Sequence, residues 1–144
     1  MFRQISDHLW VSPQITESDI TEAAAMGIRL VVNNRPEGES ADQTPGETIA
    51  AAAAAAAGLA YVAIPITHAG FSGPQVDAMR AALDGADGGT LAYCRSGTRS
   101  TLLWALAEAK AGGNPDAIAA KAEAAGYDIA PVRALVDMLA AQAG

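Results

Sequence analysis

Apolar and polar positions along this chain alternate in two rhythms, one of period two and one near the helical repeat, and the rhythm switches several times between the ends. "HLWVSPQI" carries strand-forming residues and stops at Ser12-Pro13. "TESDITEAAAMG" reads as a helix, with Thr16 at the N-cap, Asp19 in capping-box position and Gly27 closing it. The β-branched run "IRLVVNNR" predicts a strand, and "PEGESADQTPGE", rich in Pro, Gly and acid without apolar periodicity, predicts an exposed, mobile loop. The alanines from Thr48 to Ala57, halted by Gly58, predict a helix that packs only shallowly. "LAYVAIPI" predicts the next strand, "THAGF" a loop, and "SGPQVDAMRAALDGADGG" a helix with Ser72 near its N-cap. "TLAY" predicts a further strand that runs directly into "CRSGTRS". "STLLWALAEAKAGG", "NPDAIAAKAEAAG" and "APVRALVDMLAAQ" predict three more helices, the last two opened by proline. Strands alternating with helices imply an α/β fold: a central, mainly parallel sheet of about four to five strands with helices on both faces.

Length and charge narrow the picture. The 144 residues fit one domain, 1–144, large enough to bury about two-thirds of the surface of its unfolded chain. "MFRQISDHLW" lacks the apolar core and cleavage site of a signal peptide, and no apolar run approaches the roughly 18 residues of a membrane span. The expectation is a cytoplasmic protein with no membrane partner. A single cysteine, Cys94, makes no internal disulfide, which fits a reducing compartment. The net charge of −7 argues against a nucleic-acid surface, since phosphate-backbone binding needs clustered Lys and Arg. Yet Arg95 and Arg99 crowd Cys94, and Arg35 follows an apolar run, so a small anionic substrate suits the chain better than a polymer. Two histidines without a Glu/His pair at ligand spacing imply no metal, and no cofactor is implied. Oligomeric state is left open.

Cys94 falls at the carboxyl end of a predicted strand, before a Gly-containing turn into a helix, where open α/β sheets place their ligands. The N–H groups of Arg95, Ser96, Gly97, Thr98, Arg99 and Ser100 can curl around one centre, with the helix adding its positive end and Gly97 allowing close approach. Such a nest binds an oxyanion and favours the thiolate form of a cysteine, and Arg99 offers a planar fork for two anion oxygens. The plain alternative is a buried, inert cysteine. Cysteine, two arginines, glycine and serine packed into seven residues at such a junction are harder to explain as filler.

These residues carry a resemblance. The order "LWVSPQITESDITEAAAMGIRLVVNNR … YVAIPI … LAYCRSGTRSTLLWAL" resembles the dual-specificity branch of the protein tyrosine phosphatase superfamily. It is most similar to the bacterial beta-lactamase hydrolase-like, phosphatase-like family, whose "NNRP(E/D)GE" and "YCRSGTRS" segments stand here at Asn33–Glu39 and Tyr93–Ser100. The resemblance implies a dual-specificity-phosphatase-like fold and a cysteine-dependent phosphatase-like hydrolase of phosphate monoesters. In that chemistry Cys94 would form a thiophosphate, Arg99 and the loop amides would bind oxygens, and Ser100 would hydrogen-bond the sulfur, its simpler reading being a helix N-cap. Three departures stand out. Four residues separate Cys94 from Arg99 where the phosphatases have five, Tyr93 replaces the usual His, and His68 stands where the general-acid Asp belongs.

His68 is a candidate acid because an imidazole keeps a protonated fraction near neutral pH, the alternative being a surface loop histidine. Glu37, Glu39 and Asp42 are substitute acids if their loop closes over the pocket. Arg35 either reaches the same anion or pairs on the surface with Glu37 or Glu39. His8 reads as surface, and Trp10 and Trp104 as core or pocket wall. The six-residue "CRSGTR" also looks like the loop of rhodanese sulfurtransferases, which carry a persulfide on the cysteine. That and a non-catalytic oxyanion-binding module are the two rival functions.

Overall fold

Two runs of β-branched and apolar residues, Ile28–Asn33 and Gly89–Tyr93, lie side by side at the centre, with Val31, Val32, Leu91 and Ala92 fully buried. The computed structural model describes residues 2–56 and 58–143. Its elements are β1 (Arg3–Ser6), β2 (Leu9–Ser12), α1 (Glu17–Ala25), β3 (Ile28–Asn33), α2 (Gly46–Ala55), β4 (Ala60–Ala63), α3 (Gly73–Gly85), β5 (Gly89–Tyr93), α4 (Thr98–Lys110), α5 (Pro115–Ala124) and α6 (Arg133–Ala143). The five strands lie in the order β1-β2-β5-β3-β4, parallel except for the β1–β2 hairpin. The chain therefore lays down β2, β3 and β4 and then returns to insert β5 between β2 and β3. Ser12, Tyr93, Asn33 and Ala63 stand in register at the carboxyl ends, so the tails of four strands open on one edge. Ligands of open α/β sheets bind at such an edge.

Helices cover both faces, as the alternation requires. On one face α1 and α2 pack Ile20, Ala23, Ile49 and Ala53 over Val31, Leu91 and Tyr93. On the other, α3 to α6 close over Val11, Val32 and Ala92, with Met79, Leu103, Leu106, Ile118 and Val136 in the shared core. α4 is buried almost end to end because α3, α5 and α6 flank it. No helix among the described residues is long and apolar enough to cross a membrane.

Local signals set most boundaries. Thr16 and Asp19 form the expected capping box of α1, and Ser72 caps α3 in a second box with Gln75. Several details differ from the sequence reading. β1 was not expected, because Arg3-Gln4-Ile5-Ser6 has a single buried apolar residue and exists as a strand only through pairing with β2. The strand expected over "LAYVAIPI" ends at Ala63, since Pro65 lacks an N–H, although Ile64 and Ile66 still donate to the carbonyls of Asn33 and Asn34 at 2.9 and 3.0 Å. α2 begins at Gly46, two residues early, and the expected end at Ala57 lies outside the described residues. Pro131 opens a single 3-10 turn, Ala130–Val132, and α6 proper starts at Arg133.

Candidate active site

Cys94 follows β5 directly and is gripped by its neighbours: its amide donates to Ser12 O at 3.3 Å, while Asn34 N donates to Tyr93 O at 2.8 Å. The chain then turns so tightly that Gly97 N donates to Cys94 Sγ at 3.1 Å. Gly97 makes this possible at φ +89°, a left-handed conformation that side chains resist, and a Cβ there would also collide with the Tyr127 hydroxyl. The space that a Cβ at Gly97 would fill is thus taken by the Tyr127 side chain. Thr98 N turns to Ser96 Oγ at 3.4 Å, and α4 begins with Thr101 N on Gly97 O at 3.0 Å. Among the described residues the amides of Arg95, Ser96, Arg99 and Ser100 have no protein acceptor, which leaves four donors in the turn around a buried sulfur. The Arg95 and Thr98 side chains are exposed at its rim.

Arg99 occupies the second position of α4 and is held by a segment far from it in sequence. Its Nη1 donates to Glu39 Oε2 and to Ile66 O, both at 2.8 Å, and its Nη2 donates to Glu39 Oε1 at 2.8 Å. A guanidinium has five N–H groups, so three are used and two remain: Nε–H and the outer N–H of Nη2. Those two are parallel and form the side edge of the fork. The Arg99 pKa is raised, chiefly by its hydrogen bonds to Glu39 and, against some desolvation, by the nearby Cys94 sulfur. The guanidinium is thus close enough to feel the sulfur, and two of its N–H groups have no oxygen acceptor among the described residues.

Arg35 is where the expectation changes most. It is buried, not on the surface: Nε donates to Glu39 Oε1 at 2.9 Å, Nη1 to Gln14 Oε1 at 2.9 Å and Nη2 to Ser40 Oγ at 3.0 Å. Of the two readings of Arg35, the ion pair to Glu39 is the one found, and Glu39 links it to Arg99. The hydrogen bonds to Arg99, followed by those to Arg35, outweigh desolvation and hold the Glu39 carboxyl at about 2, well below its ordinary 4.5. Held between two guanidiniums, the Glu39 carboxylate serves here as an ion-pair partner. Glu37 turns its Oε1 toward the start of α2, where it accepts from Gly46 N at 2.9 Å. The Asp42 carboxyl is also lowered, first by the Ser40 hydroxyl, which donates to it at 2.6 Å. The loop expected to be mobile is instead tied down at both ends of Glu39, whose amide donates to Gln43 Oε1 at 3.0 Å while Gln43 Nε2 donates to Pro36 O at 2.9 Å.

Ser100 is not an N-cap. α4 starts at Thr98 behind Gly97, and the Ser100 hydroxyl is buried, donating its one proton to Asn34 Oδ1 at 2.7 Å rather than to the sulfur. Asn34 Nδ2 in turn donates to Ile64 O at 3.0 Å, so Ser100 ties the first turn of α4 to the tails of β3 and β4. His68 is exposed two residues beyond Ile66, whose carbonyl meets Arg99, and makes no hydrogen bond among the described residues. Tyr93 points into the core beneath α1 and α2, and burial pushes its phenol far up, so it stays neutral and turned away from the turn. Three contributors escaped sequence reasoning: Glu39 as the brace of Arg99, Asn34 as the partner of Ser100, and Tyr127, which sits against Gly97. Asn34 and Glu39 do lie in the Asn33–Glu39 family segment, and Tyr127 directly follows a helix-terminating glycine.

The comparisons with known proteins agree with this geometry. Residues 1–111 match the family described as "Beta-lactamase hydrolase-like protein, phosphatase-like domain", and the chain belongs to that family. Over 126 residues it is 34% identical to the beta-lactamase hydrolase-like protein of Xylella fastidiosa, covering 87% of this chain and 29% of the relative. The chain thus spans under a third of the length of that relative. A crystal structure of a phosphatase candidate from Neisseria meningitidis superposes with a TM-score of 0.83 at 31% identity, covering 95% of this chain and 96% of that one. Tk-PTP in its active form superposes at 0.71 with 16% identity, over 98% of this chain and 97% of its own, which extends the likeness of fold. The fold is the dual-specificity-phosphatase-like one, and the domain is phosphatase-like.

Proposed function

We propose that the chain hydrolyses phosphate monoesters through a thiophosphate intermediate on Cys94. The observation that carries this reading is the side edge of Arg99, two parallel N–H groups with no oxygen acceptor, next to a turn whose amides at Arg95, Ser96, Arg99 and Ser100 have no protein acceptor among the described residues. In the first displacement the Cys94 thiolate attacks phosphorus, the S–P bond forms and the ester P–O bond breaks. The Arg99 edge and the amides of Arg95, Ser96, Arg99 and Ser100 hold the equatorial oxygens as charge spreads onto them. The leaving oxygen takes its proton from the mouth of the site. With Glu37, Glu39 and Asp42 otherwise engaged, His68 is the residue for that step, and an activated aryl alcohol needs no donor at all. Water then attacks phosphorus, the S–P bond breaks, and inorganic phosphate leaves. Arg35 acts at one remove by fixing Glu39, and Ser100 by fixing the first turn of α4. The substrate class is a small phosphate ester, whose oxygens the four free amides and the Arg99 edge would hold.

A side-by-side assay tests the reading: phosphate release from an activated aryl phosphate, and sulfur transfer from thiosulfate to cyanide. The expected result is phosphate release that disappears in Cys94→Ser. If Cys94 gains the mass of one sulfur atom and passes it to cyanide while no ester is cleaved, the chain is a sulfurtransferase. If neither reaction occurs and phosphate still protects Cys94 from alkylation, it is an oxyanion-binding module.

A further inference from the structure

The turn is not held from within alone. α5 ends in a glycine-terminated motif: Gly126, at φ +93°, sends its amide to Glu123 O at 2.9 Å, and Tyr127 N returns to Ala122 O at 2.9 Å. This reversal throws the Tyr127 side chain back against the turn that follows β5, where its hydroxyl donates to Ser96 O at 3.2 Å, a long but directed hydrogen bond. Arg3 of β1 lies over the ring, 5.4 Å from its centre, and donates to Ala125 O at 3.1 Å, so the tyrosine is clamped on its other side. Burial raises the Tyr127 phenol above its ordinary value, against the opposing charge of Arg3, and the group keeps the proton it donates.

Ser96 O and Gly97 N belong to one peptide plane, and in a trans peptide the C=O and N–H point in opposite directions. Holding the carbonyl outward aims the amide inward, and inward is Cys94 Sγ at 3.1 Å. We infer that Tyr127 is a positioning residue of the anion-binding turn, fixing the Ser96–Gly97 peptide so that its N–H faces Cys94. Tyr127 lies beyond residues 1–111, the part of the chain that matches the family, so the segment after α4 completes a site whose other parts precede it. The inference deepens the hydrolase reading and rests on it only for what the turn is used for.

The test is Tyr127→Phe in the full chain, which removes one oxygen and leaves the ring under Arg3. Expected are a circular-dichroism spectrum and thermal midpoint close to those of the parent, together with faster exchange of the Gly97 amide by NMR. Inorganic phosphate should also protect Cys94 from iodoacetamide about tenfold less well, the worth of one hydrogen bond. A merely structural tyrosine would move the midpoint and leave phosphate protection of the folded protein unchanged. A folded Tyr127→Phe with parental Gly97 exchange and parental phosphate protection overturns the inference. Should that variant fail to fold, Arg3→Ala, at an exposed residue that steadies the ring directly and through Ala125 O, carries the test with a change of about two- to threefold in the same direction, and no change there overturns it. Neither readout needs turnover. Parent protein that cleaves no aryl phosphate therefore overturns the hydrolase reading alone, and unaltered readouts in an active enzyme overturn this one alone.

Discussion

The turn from Cys94 to Ser100 closes on itself within seven residues, whereas the loop from Arg35 to Gly46 reaches the same guanidinium across 60 positions of sequence. In the turn, backbone groups act on a neighbouring side chain: Gly97 N on Cys94 Sγ, and Thr98 N on Ser96 Oγ. In the loop, side chains act on side chains, with Arg35, Glu39, Ser40 and Gln14 joined in one network that ends on Arg99. The turn supplies the groups that meet a reacting atom. The loop decides which edge of Arg99 is left to meet it. A side-on fork appears beside the sulfur because Glu39 takes the end of the guanidinium and Ile66 O takes its inner corner.

Substitutions in the two segments should separate these contributions. Cys94→Ser removes the nucleophile and should lower phosphate release by at least about a thousandfold, while inorganic phosphate still binds as judged by competition. Retained turnover would place the chemistry elsewhere. Arg99→Lys keeps charge but loses the fork, and should cost about 10²- to 10³-fold in kcat/KM with the thermal midpoint little changed. Parental kinetics in that variant would show that the free edge is idle.

Glu39→Gln tests the loop and should act on two readouts. With Arg99 no longer pinned, kcat should fall about tenfold. Stability should fall as well, by on the order of 2 kcal/mol at neutral pH, and the loss has a pH signature. Because the Glu39 carboxyl is lowered from 4.5 to about 2 on folding, its contribution is complete above pH 4.5 and drains away as pH falls toward about 2. Denaturation of the parent and variant should therefore diverge at pH 7 and converge in strong acid. Parallel curves at every pH would mean that the ion pairs do not stabilise the fold. The smallest effect belongs to His68→Ala, which should slow esters with poor leaving groups while sparing activated aryl phosphates. Equal losses on both substrates would remove His68 from the mechanism.

How far the sequence could be read follows the same division. Strands, helices on both faces and the position of Cys94 at a strand end were legible because periodicity, caps and glycines are local properties of the chain. The placement of Gly97 in the turn and of Arg99 just after it was legible for the same reason. The Arg35–Glu39 pair was legible as one of two alternatives, but the Glu39–Arg99 pair was not, since an acidic residue in a Pro/Gly-rich segment looks solvated until the first turn of a distant helix is brought beside it. Ser100 was misplaced by the helix boundary: α4 begins two residues before the apolar run suggests, which turns the hydroxyl inward to Asn34. β1 was missed because its pairing, not its composition, makes it a strand.

The late arrival of β5 also governs how this molecule assembles. β2 and β3 do not pair with each other; each pairs with β5, and Leu9 meets Thr90 only after the whole intervening chain has been laid down. Without that strand the sheet would be a β1–β2 hairpin and a β3–β4 pair with a vacant lane between them. Closing so long a stretch of chain carries an entropic cost that local helix formation does not, so this step is a natural slow phase in refolding. Cys94 is the residue immediately after the strand that fills the lane. Its reactivity should return with the last kinetic phase, after most of the helical signal has recovered, which makes the cysteine a built-in reporter of the moment the sheet becomes continuous.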